Sequence, residues 1–231
     1  MLEKLSPEQI EKFNKFVEIL QRENEKLNLT RILNTDEIKV RHFEDSLIIL
    51  DRLKDIQTRC QASPKLVDIG SGAGFPALAL AIVLPGWQIV SIEATGKKAE
   101  FQQMVAKELA LDNTKIVHGR AEILGQNKEY RQKFDVATTR AVGHLAIIAE
   151  LAVPMLKIGG EFFAWKGPKV ETELDKGQKK LTTLGCNQLR QEKYILPNDE
   201  QESDYRLIQA TKISNTPEQH PREFKIIKQK L

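Results

Sequence analysis

Three glycines at alternate positions are the residues of this chain best suited to hold an adenosine-containing cofactor. Gly70, Gly72 and Gly74 follow the apolar run LVDI (66–69) and precede the run PALALAIVL (76–84). A strand, a glycine-rich loop and a helix in this order are typical of the cofactor loop of an α/β sheet. Glycine suits such a loop because, without a Cβ, the backbone turns sharply and approaches a ligand closely. A tight turn that binds nothing is the alternative.

The spacing of the glycines distinguishes two kinds of cofactor. A dinucleotide loop has the pattern G-x-G-x-x-G, which from Gly70 requires a glycine at position 75, where this chain has Phe75. The pattern from Asp68 to Gly74 is D-x-G-x-G-x-G. It resembles the first motif of the class I S-adenosylmethionine-dependent methyltransferases. Because that cofactor carries an amino group and a sulfonium, a carboxylate at Asp68 suits its cationic end.

A second acid supports a nucleoside cofactor. Glu93 ends the segment WQIVSIE (87–93), which has the composition of a strand. An acid about 20 residues beyond the glycine loop, at the tip of the next strand, is placed to accept hydrogen bonds from both ribose hydroxyls. We expect Glu93 to be exposed when no ligand is bound. The alternative is an ordinary surface acid at a strand end.

These residues need a parallel α/β sheet to bring them together, and the chain has the corresponding alternation. Ser6, Pro7 and Gln9 form a capping box at the start of a helix over 6–28, and a second helix is predicted over 36–54. Strands are predicted near 65–69, 88–93, 114–118, 134–138 and 160–165, with helices near 75–84, 97–110, 143–156 and 169–184. The segments near 189–195 and 205–213, joined by the loop-like 195–203, indicate an antiparallel hairpin that closes the sheet.

Composition narrows the class of protein further. The chain has 231 residues, 41% of them apolar and 29% charged, as in a globular protein. It contains no run of 18 apolar residues and no apolar signal segment at its start, so we expect no membrane span and a cytoplasmic location. Cys60 and Cys186 are far apart and the four histidines are scattered, which predicts reduced thiols and no metal. The sequence leaves the oligomeric state open and favours a monomer.

Three parts are predicted along the chain: a helical extension (1–60), the cofactor-binding domain (61–216) and a basic tail (217–231). The net charge is only +3, but from Tyr205 onward there are six Lys or Arg and two acids. Such a basic end is suited to contact phosphates. A solvated end with no partner is about equally consistent with the composition.

With these pieces in place, the chain resembles the bacterial small-subunit rRNA guanine-N7 methyltransferases (RsmG, or glucose-inhibited division protein B) from about residue 10 to about 222. The resemblance rests on the glycine loop and on these segments, in order: NEKLNLTRI (24–32), RHFEDSL (41–47), EATGKKAEF (93–101), GRAEIL (119–124), TTRAVG (138–143) and AWKG (164–167). It implies a class I S-adenosylmethionine-dependent methyltransferase fold, mostly parallel with an antiparallel last strand. It also implies 16S rRNA or the small ribosomal subunit as partner. The usual tail, with a glycine and prolines after Pro-Arg, is replaced here by EFKIIKQKL after Arg222.

The resemblance also implies a role for individual residues. Contacts with S-adenosylmethionine are expected at Gly70, Gly72 and Phe75 in the loop, at Glu93, Ala94 and Thr95 by the ribose and adenine edge, at Ala121 and Glu122 beside the adenine, and at Arg140 near the methionine end. Arg140 is also the candidate catalytic residue, with a structural ion pair as the alternative. Lys166 and Arg222 are candidate contacts to RNA. His42 is either part of the RNA-facing surface or a capped, satisfied histidine between the N-terminal helices and the sheet.

The segment after the fourth strand constrains the atom that accepts the methyl group. Enzymes that methylate exocyclic amines usually have an Asp/Asn-Pro-Pro-aromatic motif there, and methylation at carbon five of a pyrimidine needs a cysteine. This chain has TRAVG (139–143), with neither. A ring nitrogen with a free lone pair, such as guanine N7, needs no general base. Two other functions stay open on sequence alone: a methyltransferase acting on a small molecule, and a ribosome-binding protein without activity.

Overall fold

The computed structural model describes residues 2–140, 143–197 and 204–229. Its described residues form a mixed seven-stranded sheet in the order β3-β2-β1-β4-β5-β7-β6. The strands are β1 (Lys65–Ile69), β2 (Gln88–Glu93), β3 (Thr114–His118), β4 (Phe134–Arg140), β5 (Leu156–Lys166), β6 (Arg190–Tyr194) and β7 (Tyr205–Thr211). Strands β1 to β5 are parallel, whereas β7 is antiparallel to β5 and to β6. The predicted closing hairpin is thus confirmed; of its loop, 198–203 lies outside the described residues.

Helices flank the sheet. They are α1 (Pro7–Leu27), α2 (Thr35–Ile38), α3 (Asp45–Leu47), α4 (Leu50–Arg59), α5 (Ala77–Val83), α6 (Gly96–Glu108), α7 (Ala121–Leu124), α8 (Leu145–Ala152), α9 (Leu174–Thr183) and α10 (Phe224–Gln229). Short 3₁₀ turns lie at Leu2–Lys4, Val153–Met155 and Pro168–Glu173. The capping box of α1 is formed as predicted, with the Ser6 side chain accepting from the Gln9 amide. Among the described residues, no helix is both long and apolar enough to cross a membrane.

The single helix predicted over 36–54 is wrong. The chain instead makes the short helix α2, a π-helical turn over Lys39–Glu44, the short helix α3, and then α4, which runs on to Arg59. The periodic apolar residues that suggested one helix do point inward: Ile38, Phe43 and Leu47 are fully buried. A π turn shifts the register of side chains within a helix and is frequent at functional sites. Apolar spacing alone does not reveal such a shift.

The predicted N-terminal helical extension packs against the cofactor-binding domain. Phe16 of α1 stacks on Phe75 of the glycine loop, with ring centroids 5.1 Å apart, and Phe43 lies 5.7 Å from the same ring. The buried side chains of α1, α4 and α5 belong to one continuous apolar cluster. The N-terminal helices and α5 therefore share one apolar core, and the division at residue 60 stays a prediction.

The order of the strands places the candidate site. The chain moves outward from β1 to β2 and β3, then returns to the other side of β1 with β4. Open α/β sheets bind ligands at the carboxyl ends of the strands where the winding direction reverses. Asp68 of β1 lies in register with Thr138 of β4, so the glycine loop and Arg140 leave the sheet side by side.

Candidate active site

A cavity of about 560 Å³ opens at the carboxyl ends of β1, β2, β3 and β4. Ligand pockets of small molecules usually have about 300–1,000 Å³, so the space suits a nucleoside cofactor. The cavity brings together eight of the residues expected at the cofactor: Gly70, Gly72, Phe75, Glu93, Ala94, Ala121, Glu122 and Arg140. Residues distant in sequence thus share one surface.

The glycine loop is shaped by the conformation of two of its glycines. Gly72 has φ +58°, and a Cβ added there would meet no atom within 4 Å, so its Cα faces open space. Gly74 has φ +92°, and a Cβ there would lie 2.5 Å from Leu78 Cδ1. The first glycine leaves room for a ligand, whereas the second allows the loop to pack on α5.

Glu93 holds the loop as well as facing the cavity. Its Oε2 accepts from the Gly72 amide at 2.9 Å, and its Oε1 accepts from the Thr95 amide at 2.8 Å. Its exposed fraction is only 6%, so the expectation that this acid is exposed without ligand is wrong. A carboxylate has about four acceptor positions. Two are used by these amides, which leaves acceptor capacity for the two hydroxyls of a ribose.

Arg140 is anchored by the π-helical turn. Its Nη1 lies 2.9 Å from Asp45 Oδ2 and also donates to the Arg41 carbonyl at 3.2 Å. Its guanidinium carbon lies 5.2 Å from the centroid of the Phe75 ring. The side chains of Arg140 and Asp45 are 13% and 8% exposed. The ion pair weighed as the alternative for Arg140 is therefore present, on a residue that still lines the cavity.

His42 is a half-buried histidine with both ring nitrogens engaged, in the wall of the same cavity. Its ring stacks on Phe75 at 4.7 Å, Arg140 Nη2 lies 3.1 Å from its Nδ1, and its Nε2 lies 2.8 Å from Thr30 Oγ1. Because a guanidinium can only donate, Nδ1 must carry the lone pair and Nε2 the proton. Burial, reinforced by the positive charge of Arg140, lowers the pKa of His42 to about 3. The residue is neutral at physiological pH.

Asp68 and Thr95 are not among the described residues that line the cavity. Asp68 is fully buried beneath the loop, where Thr138 Oγ1 donates to its Oδ1 at 2.8 Å. Burial raises its pKa to about 7. Thr95 is the exposed N-cap residue of α6, and its backbone amide donates a hydrogen bond to Glu93 Oε1. Asp68 thus lies beneath the loop and Thr95 supports Glu93, and a direct contact of either residue with the cofactor stays a prediction.

The candidate RNA contacts Lys166 and Arg222 are both engaged within the protein. Lys166 Nζ lies 2.7 Å from Glu173 Oε2 and donates to the Gly143 carbonyl at 2.7 Å. Arg222 makes a bidentate pair with the fully buried Glu150, at 2.7 and 2.6 Å. A contact with RNA would have to compete with these ion pairs, so for both residues it remains a prediction.

Several lining residues had no predicted role: Leu29, Thr30, Lys98, Gly119, Arg120, Gly143 and Phe224. Most of them lie inside the segments on which the resemblance rests. Those segments could therefore have pointed to these residues, although no role was predicted for them. Phe224 is different, because it lies beyond the residues where the resemblance ends. Ala141 and Val142 of the TTRAVG segment lie outside the described residues.

The donor and acceptor set fits S-adenosylmethionine. The open space at Gly72 allows close approach of a ligand, and Glu93 retains acceptors for a ribose. Lys98, the Arg120–Glu122 pair and the Arg140–Asp45 pair distribute charge along the cavity without a large excess of either sign. The described residues hold no group of three or more His, Cys, Asp or Glu placed to bind a metal ion.

Comparison with known proteins identifies the family of the chain. The sequence model of the GidB family, described as rRNA small subunit methyltransferase G, matches residues 9–201. Ribosomal RNA small subunit methyltransferase G of Lactobacillus acidophilus is 40% identical over 223 residues, which cover 95% of this chain and 89% of that protein. The Bacillus subtilis protein of the same name is 36% identical over 221 residues, again 95% and 89% of the two chains.

Solved structures support the fold. A SAM-dependent O-methyltransferase from Thermotoga maritima superposes with a TM-score of 0.58 at 16% identity, covering 86% of this chain and 72% of that one. A 16S rRNA (adenine(1408)-N(1))-methyltransferase from Catenulisporales acidiphilia gives 0.54 at 16% identity, covering 71% and 94%. The expected class I methyltransferase fold is confirmed. With the family match spanning most of its length, the chain belongs to the rRNA small subunit methyltransferase G family.

Proposed function

We propose that this protein transfers a methyl group from S-adenosylmethionine to N7 of a guanine in a loop of 16S ribosomal RNA. The observation that carries the proposal is the cavity at the strand ends, in which the glycine loop, Glu93 and Arg140 of a family member come together. An enzyme with this substrate would act in the cytoplasm on ribosomal RNA or on the small subunit.

The cofactor contacts follow from the free acceptors and space in the cavity. Glu93 accepts from the ribose diol, while Gly70 and Gly72 let the loop backbone approach the ligand closely. Ala94, Ala121 and Glu122 line the side on which the base would lie. S-adenosylmethionine supplies an electrophilic methyl group when bound. Transfer of that group is an in-line displacement, so positioning and electrostatics provide most of the catalysis.

The charge state of the wall suits a product that becomes cationic. Methylation at N7 places a positive charge on the guanine, and an unpaired arginine beside it would oppose this. Here Asp45 balances the charge of Arg140, and His42 is neutral. Arg140 therefore serves as a donor to an acceptor such as the cofactor carboxylate, a phosphate or guanine O6, without leaving excess positive charge at the reacting nitrogen.

Methyl incorporation from labelled S-adenosylmethionine tests the proposal. The substrates are small subunits and 16S rRNA from cells that lack the endogenous enzyme, with a metabolite pool as the comparison. We expect label in the RNA, and borohydride–aniline cleavage should locate it at 7-methylguanosine. Label in the metabolite pool alone would favour a small-molecule methyltransferase, and label at another base would refute the guanine N7 assignment.

A further inference from the structure

The last described residues of the chain are folded onto the protein body. Arg131 donates to the carbonyls of Thr216, Pro217 and His220 at 3.0, 3.2 and 2.5 Å. Glu150 of α8 binds His220 and Arg222. This part of the predicted basic tail is thus clamped at several points, and the start of α10 has a defined position.

The clamp brings one aromatic side chain to the cofactor cavity. Phe224, the first residue of α10, is half-buried and lines the cavity beside Gly119–Glu122. The guanidinium carbon of Arg120 lies 4.8 Å from the centroid of its ring, and Arg120 Nε donates to Glu122 Oε1 at 2.7 Å. The buried Ile227, one turn later, fixes the helix because it belongs to an apolar cluster that also contains Ile148 of α8. The chain is therefore fixed both before Phe224, by the clamp, and after it, by Ile227.

The position of Phe224 relative to Glu93 indicates which part of a ligand it meets. In the proposed function the ribose binds at Glu93 and the base lies beside Ala121 and Glu122, which follow the neighbouring strand β3. A purine has two apolar faces that gain from contact with an aromatic ring. The other phenylalanine of the described lining, Phe75, already stacks on Phe16 and His42. Phe224 is thus the phenylalanine of the described lining that lies beside Gly119–Glu122.

We infer that Phe224, steadied by Arg120, forms a wall against which the adenine of the cofactor packs, so that the C-terminal helix is part of the cofactor site. This inference rests on the proposed function. The ammonium of Lys228, 5.6 Å from the ring centroid, belongs to an exposed and flexible side chain and can move aside for the base.

Calorimetric titration of the full chain with S-adenosylhomocysteine tests the inference. Phe224→Ala should weaken binding about 10-fold, whereas Phe224→Tyr, which keeps the ring, should stay within about twofold of the unchanged protein. Ile226→Ala is the matched control, because Ile226 is exposed on the same short helix and does not belong to the described cavity lining. It should bind like the unchanged protein. Thermal unfolding without ligand checks that each variant is folded. If Phe224→Ala is not folded, Phe224→Leu is used in its place.

Steady-state kinetics provide the second measurement. Phe224→Ala should raise the KM for S-adenosylmethionine and leave kcat nearly unchanged, since the ring lies at the base and away from the reacting methyl group. If the unchanged protein binds S-adenosylhomocysteine but Phe224→Ala binds it equally well, the inference is refuted while the proposed function stands. Unchanged affinity with a raised KM for RNA would place Phe224 at the substrate and refute it too. No binding by the unchanged protein would refute the proposed function itself.

Discussion

Glu93 and Asp68 are acids on neighbouring strands, yet their surroundings give them different tasks. Glu93 faces the cavity and accepts from two backbone amides, whereas Asp68 lies in the sheet and accepts from the Thr138 hydroxyl. Hydrogen-bond donors around a carboxylate favour its ionised form, but complete burial disfavours it. The chemistry available to each acid therefore depends on its position and cannot be assigned from residue type.

Replacing Glu93 with alanine should impair both binding and stability. We expect S-adenosylmethionine affinity to fall by roughly 2–3 kcal/mol, because hydrogen bonds to a charged group contribute about 1.5–3 kcal/mol and two of them share this carboxylate. Unfolding should also begin at a lower temperature, since the amides of Gly72 and Thr95 lose their acceptor. Calorimetry and thermal unfolding measure the two effects, with the exposed Glu100→Ala as control. Unchanged affinity would show that Glu93 only supports the loop.

The pKa of Asp68 predicts a pH dependence of stability. Its folded-state pKa is about 7, compared with an ordinary value of 3.8, mainly because of burial. Between these values the folded protein binds more protons than the unfolded chain, so this residue's contribution to stability falls as pH rises from about 4 to about 7. Asp68→Asn should remove that contribution. Urea unfolding of both proteins from pH 4.5 to 8 should show that the stability of the variant increases relative to that of the unchanged protein as pH rises. If the free energies of unfolding of the two proteins change in parallel with pH, the prediction is contradicted.

At the scale of elements, one ion pair joins the start of α3, directly after the π-helical turn, to the sheet. Arg140 at the end of β4 binds Asp45, whose Oδ1 also accepts from the Tyr194 hydroxyl of β6 at 2.6 Å. The backbone carbonyl of Asp45 accepts from Trp165 Nε1 of β5 at 2.8 Å. Asp45, which directly follows the turn, is thus tied to three strands at once, and this helps to fix His42 in the cavity wall.

Breaking this pair should destabilise the protein as well as reduce methyl transfer. Removing one partner of a buried ion pair costs about 3–5 kcal/mol, because the other charge is left unpaired. We therefore expect Arg140→Ala to lower the free energy of unfolding. The double variant Arg140→Ala/Asp45→Ala should recover part of this loss of stability, because it no longer leaves a buried charge unpaired. Denaturant unfolding of the full set of variants measures the coupling. If the single variant is inactive but fully stable, Arg140 acts only on ligands.

At the scale of the whole molecule, a buried acid organises the end of the chain. Glu150 is fully buried and is met by Arg222, His220 and Lys180, the last at 2.8 Å. Burial disfavours its ionised form, but these hydrogen bonds outweigh burial and lower the pKa of Glu150. The stabilisation is present above the ordinary pKa of a glutamate and is lost as pH falls toward the lowered value.

Arg222→Ala distinguishes this clamp from a role in RNA binding. If the ion pair with Glu150 is its main task, the variant should unfold at lower denaturant concentration, with a loss of about 1–3 kcal/mol because Lys180 and His220 still face the acid. Lys225→Ala, an exposed cation on α10, is the control and should leave stability unchanged. A stable Arg222→Ala with weakened rRNA binding would instead support the predicted RNA contact.

The sequence alone determined the features that depend on local rules. Glycine spacing, the capping box of α1 and the alternation of apolar runs predicted the loop, the first helix, the succession of strands and helices in a parallel sheet, the closing hairpin and the position of Glu93. These signals are local because backbone conformation and the burial of alternating side chains are decided over a few residues. The family resemblance added the identity of the ligand.

Only the tertiary structure decided what depends on neighbours distant in the chain. The burial of Asp68 and Glu93, the neutral state of His42 and the pairing of Arg140 with Asp45 each result from groups brought together across many residues. The same holds for Phe224, which reaches the cavity because Glu150 and Arg131 hold the segment before it. Burial and pairing energies depend on three-dimensional surroundings, which a one-dimensional pattern does not contain.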